Sequence, residues 1–353
     1  MTRVLFCFYP LFVKYNHGIA LLSSICRKSG INTSLYVLDN KENFSRYLSS
    51  RHFDFIGFSV VTSHDFMKSI PFMAVARDAI PDSLIMLGGT FLSGIHGGGG
   101  ASRIEASLSG LVDRICYGDA EELTRFILEG CDSIFTSPRQ CKDIQSLPLP
   151  DHNLFMDIPF DRGLPFLQGK RVLPYYSSRG CPFQCSFCQV RWQRKKVLIR
   201  SRVAADLSFL AGTYFPDLFF IGDELLPYYS RRWRESWHDF RYPFCCYIRP
   251  DIQPKILEWL IDRGMTACAF GVESGNEWYR INVLKKRVTD KKVFETVRIL
   301  GQNGIDYVPF FMTGLPGETM ANQRETFDMS RLLGGFPFVF QYEDLSQTFE
   351  GGA

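Results

Sequence analysis

The hydrophobic pattern of residues 1–130 switches regularly between two periods. Arg3–Tyr9 is an apolar run of strand-forming residues. His17–Gly30 then repeats its apolar positions at helical spacing and stops at a glycine suited to a C-cap. Thr33–Leu38 and Asp54–Val61 again read as strands, with a polar helical run from about Glu42 to Arg51 between them. His64–Ile80 carries an apolar helical face. Ser83–Leu87 predicts a fourth strand running into Gly88-Gly89, and Asp113–Tyr117 a fifth. Ala120–Glu129 closes the series as a helix whose acidic start suits the helix dipole. Gly97–Gly100 reads as a flexible surface loop. Strand and helix in alternation predict an α/β domain with a parallel, doubly wound sheet, whose ligands bind at the carboxyl ends of the strands.

Both periods vanish over residues 131–171, where Ser146-Leu147-Pro148-Leu149-Pro150-Asp151-His152 is extended and punctuated by proline. This stretch reads as a linker between domains at 1–130 and 172–353. Beyond it the alternation resumes. A short β-type run precedes Cys181, and Leu218–Ile221, Phe244–Ile248, Ala267–Val272, Tyr307–Met312 and Phe336–Tyr342 follow as strands. Helical segments intervene at about 202–213, 230–240, 254–263, 290–303 and 320–333. Six β/α steps predict a partial barrel, with polar residues gathered at the strand carboxyl ends where barrel enzymes keep their chemistry.

The first barrel strand runs into Arg179-Gly180 and then three cysteines at C-x-x-x-C-x-x-C spacing, Cys181, Cys185 and Cys188. Three soft thiolates this close, just past a strand end, describe a loop folded around a metal. A structural zinc site wants a fourth ligand and is closed, whereas three ligands leave a position for a reacting molecule. A zinc knuckle that borrows a histidine, or thiols that merely happen to cluster, is the other reading of the spacing.

These cysteines, with the aromatic Phe187 just before the third, resemble the radical S-adenosylmethionine (radical SAM) superfamily. Gly271-Val272-Glu273-Ser274-Gly275 and Gly314-Leu315-Pro316-Gly317-Glu318-Thr319 are similar to motifs of its cobalamin-associated branch. In the first half, Ile56–Thr62, Leu87–Thr90 and Val112–Glu121 fall in the order seen in that branch's cobalamin-binding domain. Asp119 stands where the branch usually has glutamate. The resemblance implies a Rossmann-like cobalamin-binding domain followed by a partial (β/α)6 radical SAM barrel. It implies a 4Fe-4S cluster on Cys181, Cys185 and Cys188, with SAM chelated to the open iron. Around SAM it implies Asp223 and Glu224 at the methionine ammonium, Arg249 at the SAM carboxylate or a substrate anion, Glu273 and Ser274 at the ribose, and Gly314 to Gly317, with Pro316, at the adenine, while Phe187 also joins the SAM site.

For cobalamin the resemblance implies Ser59, Thr62, Gly88, Gly89 and Gly118. Glycines at a strand end let backbone approach a flat ligand closely. The D-x-H-x-x-G motif that carries a cobalt-ligating histidine is absent, so cobalamin is expected without a histidine below the cobalt. His17 and His64 read as helix-start residues. The activity implied is reductive SAM cleavage and, with cobalamin, methylation of an unactivated carbon of a small-molecule or peptide substrate. An electron donor such as flavodoxin or ferredoxin is the implied partner. Cyclisation, rearrangement or reduction without methyl transfer is the alternative within the superfamily, and a metal-binding interaction module that catalyses nothing is the alternative outside it.

Composition excludes more than it selects. The 353 residues suit about two domains. A hydrophobic share of 46% with 22% charged residues suits a soluble globular chain. A net charge of +3 is no argument for nucleic acid, even with the basic run Arg191-Trp192-Gln193-Arg194-Lys195-Lys196 beside the cysteines. No apolar run reaches the roughly 20 residues that span a bilayer. Eleven cysteines, an odd number in a long chain, fit reduced cytoplasmic thiols plus one metal site better than a disulfide scaffold. The chain stops soon after its sixth barrel strand, where relatives carry a segment that closes the barrel. A compact enzyme, a small partner completing the site and a truncated reading frame are the expectations this raises.

Overall fold

Five parallel strands form the first sheet of this computed structural model, in the order β2-β1-β3-β4-β5. The elements run β1 (Arg3–Phe8), α1 (His17–Lys28), β2 (Asn32–Val37), α2 (Lys41–Ser49), β3 (Phe55–Ser59), α3 (Ser63–Ala79), β4 (Leu84–Gly88), α4 (Thr90–Gly97), α5 (Ala101–Ser107), β5 (Arg114–Ile115) and α6 (Leu123–Glu129). The structure describes every residue except 11–14, 98–99, 130–140, 159, 161–163, 189–196, 228 and 343–353. The chain divides into two units, Met1–Asp161 and Arg162–Glu343.

In the first unit β1 is buried along nearly its whole length, as the apolar run Val4–Phe8 requires of a central parallel strand. Leu5, Cys7, Phe58, Ile85 and Leu87 build the core between sheet and helices. The strand order reverses between β1 and β3, the switch point at which doubly wound sheets bind ligands. Helix starts follow their caps. The Asn16 side chain accepts from the Ile19 N–H at 3.0 Å, and Thr62 and Asp65 form a reciprocal capping box ahead of α3. His17 and His64 accordingly sit in first turns, as expected.

Of the loop expected at 97–100, residues 98–99 lie outside the described residues; α4 ends at Gly97 and α5 begins at Ala101. One stretch departs from the sequence reading, because the linker around Asp151–Phe155 is docked rather than merely extended. The Asp151 N–H donates to the Ala20 carbonyl at 2.8 Å, and its carboxylate accepts from Ser23 Oγ at 2.7 Å and pairs with Arg27 at 3.0 Å. A single 3-10 turn, His152–Phe155, then seats His152 Nδ1 at 3.0 Å from the Tyr15 hydroxyl, with the Phe155 ring 4.6 Å from that of Tyr15. Its apolar and hydrogen-bonding groups find partners on α1, which no local period reveals.

The second unit carries β6 (Val172–Tyr175), β7 (Ser178–Arg179), β8 (Leu198–Ile199), α7 (Val203–Tyr214), β9 (Leu218–Ile221), α8 (Arg231–Glu235), β10 (Phe244–Ile248), α9 (Pro254–Asp262), β11 (Met265–Glu273), α10 (Glu277–Asn282), α11 (Asp290–Gln302), β12 (Asp306–Thr313), α12 (Met320–Leu333) and β13 (Phe338–Gln341). Six strands make one all-parallel sheet, β13-β12-β11-β10-β9-β6, as a partial (β/α)6 barrel predicts. Trp233, Trp237, Phe240 and Phe244 pack ring against ring on the helix side, with Trp237 and Phe244 centroids 5.2 Å apart. Cys245, Cys246 and Cys268 form no disulfide and are fully buried in that sheet, as core thiols should be. The short α10 and the two-residue strands β7 and β8 are additions to the expected elements. No described helix is long and apolar enough to cross a membrane.

Candidate active site

The cysteine segment is a loop with pinned ends. β7 pairs antiparallel with β8, so Arg179 before the cysteines lies opposite Leu198 beyond them. Just before it, Ser177 and Ser178 are buried against Asp223 at the end of β9. Asp223, itself 0% exposed, accepts from the Ser177 N–H at 2.7 Å and from both serine hydroxyls at 2.5 Å. Trp233 Nε1 donates to Ser177 Oγ at 2.7 Å, which leaves that hydroxyl's only proton for Asp223. Burial pushes the Asp223 carboxyl up to about 7, with the two serine bonds opposing and Glu224 adding.

Asp223, expected at the SAM ammonium, is therefore an anchor for the strand that leads into the cysteines. Asp223→Asn would set an amide N–H against hydroxyl donors in a sealed site. It is expected to lower stability by about 2 kcal/mol, read as a lower urea midpoint than wild type with unchanged slope.

Glu224, one residue on, is exposed and turns to the loop itself, its Oε2 accepting from the Gly180 N–H at 3.2 Å. Burial raises the Cys181 thiol; the Phe183 backbone bond and Arg249 oppose this, while Cys185 and Glu224 add to it. Arg249 is 9% exposed and binds Asp251 through two parallel bonds of 3.0 Å, with its guanidinium 3.8 Å from the Phe183 ring centroid. Cys185 is buried, and the Cys188 N–H donates to its carbonyl at 3.1 Å, closing a turn between the last two thiols. Between them, Ser186 reaches across to α10, its N–H 2.9 Å from the Leu284 carbonyl and its hydroxyl 3.0 Å from that of Val283. Phe187 packs beside Tyr279, Leu284 and Leu315.

The donor set fits an iron–sulfur cluster. Three thiols sit on a short, externally braced loop, with exposed Glu224 and nearly buried Arg249 around the first of them. Among the described residues, no three His, Cys, Asp or Glu side chains converge as ligands of a single ion do. Thiolates that each take a different iron need not converge in that way.

At the end of β11 the backbone is unusual. The register breaks between Gly271 and Glu273, and Glu273 takes a left-handed φ of 70°. Its carboxylate, Oε1, lies 2.7 Å from Lys286 Nζ. Gly271 leaves room for them, since a Cβ there would fall 1.9 Å from Glu273 Oε1 and displace the carboxylate. Ser274, paired with Glu273 in the expected ribose contact, points elsewhere. It is 0% exposed, its hydroxyl lies 3.4 Å from that of Thr326, and it accepts from the Asn276 N–H. In the last motif the Gly314 N–H donates to Glu318 Oε2 at 2.7 Å, and the Pro316 carbonyl accepts from the Tyr279 hydroxyl at 2.8 Å. Those backbone groups hold the loop in shape. Lys286, Arg280, Tyr279 and Trp233 were not legible as site residues; Lys286 sits in a basic run, Lys285-Lys286-Arg287, that reads as solvated.

In the first unit, Ser59, Thr62, Gly88, Gly89 and Gly118 lie at or just beyond the carboxyl ends of β3, β4 and β5, three adjacent strands. Ser59 Oγ accepts from Asn16 at 3.0 Å, and the Gly118 N–H donates to Ser93 at 2.8 Å. Gly89 is required by the protein itself: at φ 127° a Cβ would lie 2.0 Å from the Val60 carbonyl oxygen. The Asp119 carboxylate accepts from the Cys141 N–H at 2.6 Å. Cys131 and the basic run 191–196 lie outside the described residues.

Residues 175–329 match the sequence model of the Radical SAM superfamily. The anaerobic magnesium-protoporphyrin IX monomethyl ester cyclase of Rubrivivax gelatinosus is 20% identical over 314 residues, 79% of this chain and 54% of that protein. The cytidylyl-2-hydroxyethylphosphonate methyltransferase of Streptomyces wedmorensis is 23% identical over 188 residues, 48% of this chain and 35% of that protein. The chain thus spans about a third to a half of these relatives. The structure of the radical SAM methyltransferase TsrM from Kitasatospora setae, with cobalamin and a 4Fe-4S cluster bound, superposes with a TM-score of 0.71 at 15% identity. The superposition covers 97% of this chain and 75% of that one. Residues 175–329 thus form a radical SAM domain, and the two-unit fold is similar to that of a radical SAM methyltransferase solved with cobalamin and a 4Fe-4S cluster bound.

Proposed function

We propose that this protein cleaves SAM reductively at a 4Fe-4S cluster held by Cys181, Cys185 and Cys188. With cobalamin, it methylates an unactivated carbon of a small-molecule or peptide substrate. The observation that carries this reading is the cysteine loop, braced at Asp223 and at Val283–Leu284 while its thiols remain uncommitted to any disulfide. Together the bound groups would supply one-electron cleavage of a carbon–sulfur bond and methyl donation. The chain's own residues supply orientation and charge. Glu224 offers an exposed carboxylate for an ammonium, Arg249 a guanidinium prealigned by Asp251 for a carboxylate, and Glu273 an acceptor for hydroxyls. Phe187, Gly314 and Pro316 would flank SAM. Ser59, Thr62, Gly88, Gly89 and Gly118 would line the corrin, with no histidine at the cobalt. A flavodoxin or ferredoxin would deliver the electron.

Anaerobically reconstituted protein is expected to form 5′-deoxyadenosine from SAM and reductant, and to retain cobalamin stoichiometrically through gel filtration. Full iron and sulfide loading without 5′-deoxyadenosine would refute the cleavage. Cobalamin eluting apart from the protein would remove the methylation. The cyclase among the relatives supports a second reading, radical chemistry without methyl transfer. Transfer of label from methyl-labelled SAM to product separates the two.

A further inference from the structure

Among the described residues three non-glycine positions take positive φ, and two of them, Glu273 at 70° and Lys285 at 55°, converge on one ion pair. Holding such residues left-handed costs free energy, so the surrounding structure must enforce it. Here the enforcement is visible. A register break in β11 re-aims Glu273, and a strand irregularity of this kind commonly redirects a side chain beside an active site. The absent side chain of Gly271 leaves the space that both charged ends occupy, a Cβ there falling 1.9 Å from Glu273 Oε1 and 2.8 Å from Lys286 Nζ.

Arg280, 0% exposed, then ties the two segments together. It donates to the Ser274 carbonyl at 2.6 Å and to the Val288 carbonyl at 2.8 Å, and it pairs with Asp290. The Lys286 N–H in turn donates to the Arg280 carbonyl at 3.0 Å. Glu273 and Lys286 are 8% and 7% exposed, and Lys286 Nζ lies 6.0 Å from the ring of Phe187, the residue before Cys188. A buried ion pair is weak evidence of stabilisation in itself. Two strained backbones, a deleted side chain and a buried arginine all spent on one pair call for another purpose.

We propose that Lys286 is a positioning residue for SAM, one that holds the Glu273 carboxylate by Oε1 so that Oε2 is a preset acceptor for the ribose hydroxyls. Arg280 fixes Lys286 in turn. The proposal rests on the SAM-cleaving reading above and replaces Ser274, sealed against Thr326, as the companion of Glu273.

The test is equilibrium binding of SAM, and of its 2′,3′-dideoxyribosyl analogue, to reconstituted holoprotein without reductant. Wild type is expected to prefer SAM by about tenfold or more, since one charge-assisted bond is lost with the hydroxyls. Lys286→Met and Gly271→Ala should each erase that preference. Gly271→Ala leaves every charge in place and collides only with the ends of two flexible side chains, so it reports on carboxylate position even where Lys286→Met fails to fold. The ratio of the two affinities is insensitive to a general loss of folded protein. A preference retained in Gly271→Ala, or absent in wild type that binds SAM, overturns this proposal alone. Wild-type holoprotein that binds no SAM overturns it together with the cleavage reading.

Discussion

Alanine at Cys181, Cys185 and Cys188 together is expected to abolish iron binding, brown absorbance and 5′-deoxyadenosine formation, while the melting transition stays within a few degrees of wild type. The loop's bracing does not pass through the thiols. Ser178 is held by Asp223, Gly180 by Glu224, and Ser186 by the carbonyls of Val283 and Leu284. Cys181 and Cys188 are half-buried and only Cys185 is fully buried, so the packing lost amounts to roughly 1 kcal/mol. Iron content and a melting curve on the same sample check both halves. A variant that keeps its iron would move the cluster elsewhere, and one that unfolds would make these cysteines core residues.

Acid should loosen the first unit well before it protonates ordinary carboxylates. His152 is 2% exposed beneath α1, and burial pushes its imidazole down from the ordinary value of 6.5 to about 3. Between those values the unfolded chain binds a proton that the folded one refuses, so stability rises with pH across the window. The contribution is fully present above about pH 6.5 and is lost progressively as pH falls towards about 3. At 1.36 kcal/mol per unit, the loss is about 2 kcal/mol at pH 5 and on the order of 4 kcal/mol at the lower end. His152→Gln keeps a polar group facing the Tyr15 hydroxyl and removes the titration. Its urea midpoint should therefore fall less between pH 7 and pH 5 than that of wild type. Parallel pH profiles for the two would exclude His152 as the source.

Most of the architecture was legible because hydrophobic periodicity is local. Leu218–Ile221 and Phe244–Ile248 fall where the pattern places them, and so does the helix at 320–333. What escaped was too short to show a period. Strands of two residues, β7 and β8, exist only by pairing with each other, and α10 spans six residues.

The site divides along the same line. Cysteine spacing, strand-end carboxylates and paired glycines are properties of neighbouring residues, and the sequence by itself determined that they sit at the carboxyl ends of parallel strands. Which of two adjacent residues is sealed and which turns to the strand ends was decided by the tertiary structure alone. Side chains alternate sides along an extended chain. Asp223 is sealed under the serines while Glu224 is exposed, and Ser274 turns to α12 while Glu273 turns to Lys286. Lys286 is the sharpest case. Within Lys285-Lys286-Arg287 nothing marks it, because burial is a property of what folds over a residue, and here that is a register break in β11, the missing Cβ of Gly271 and the buried Arg280 of α10.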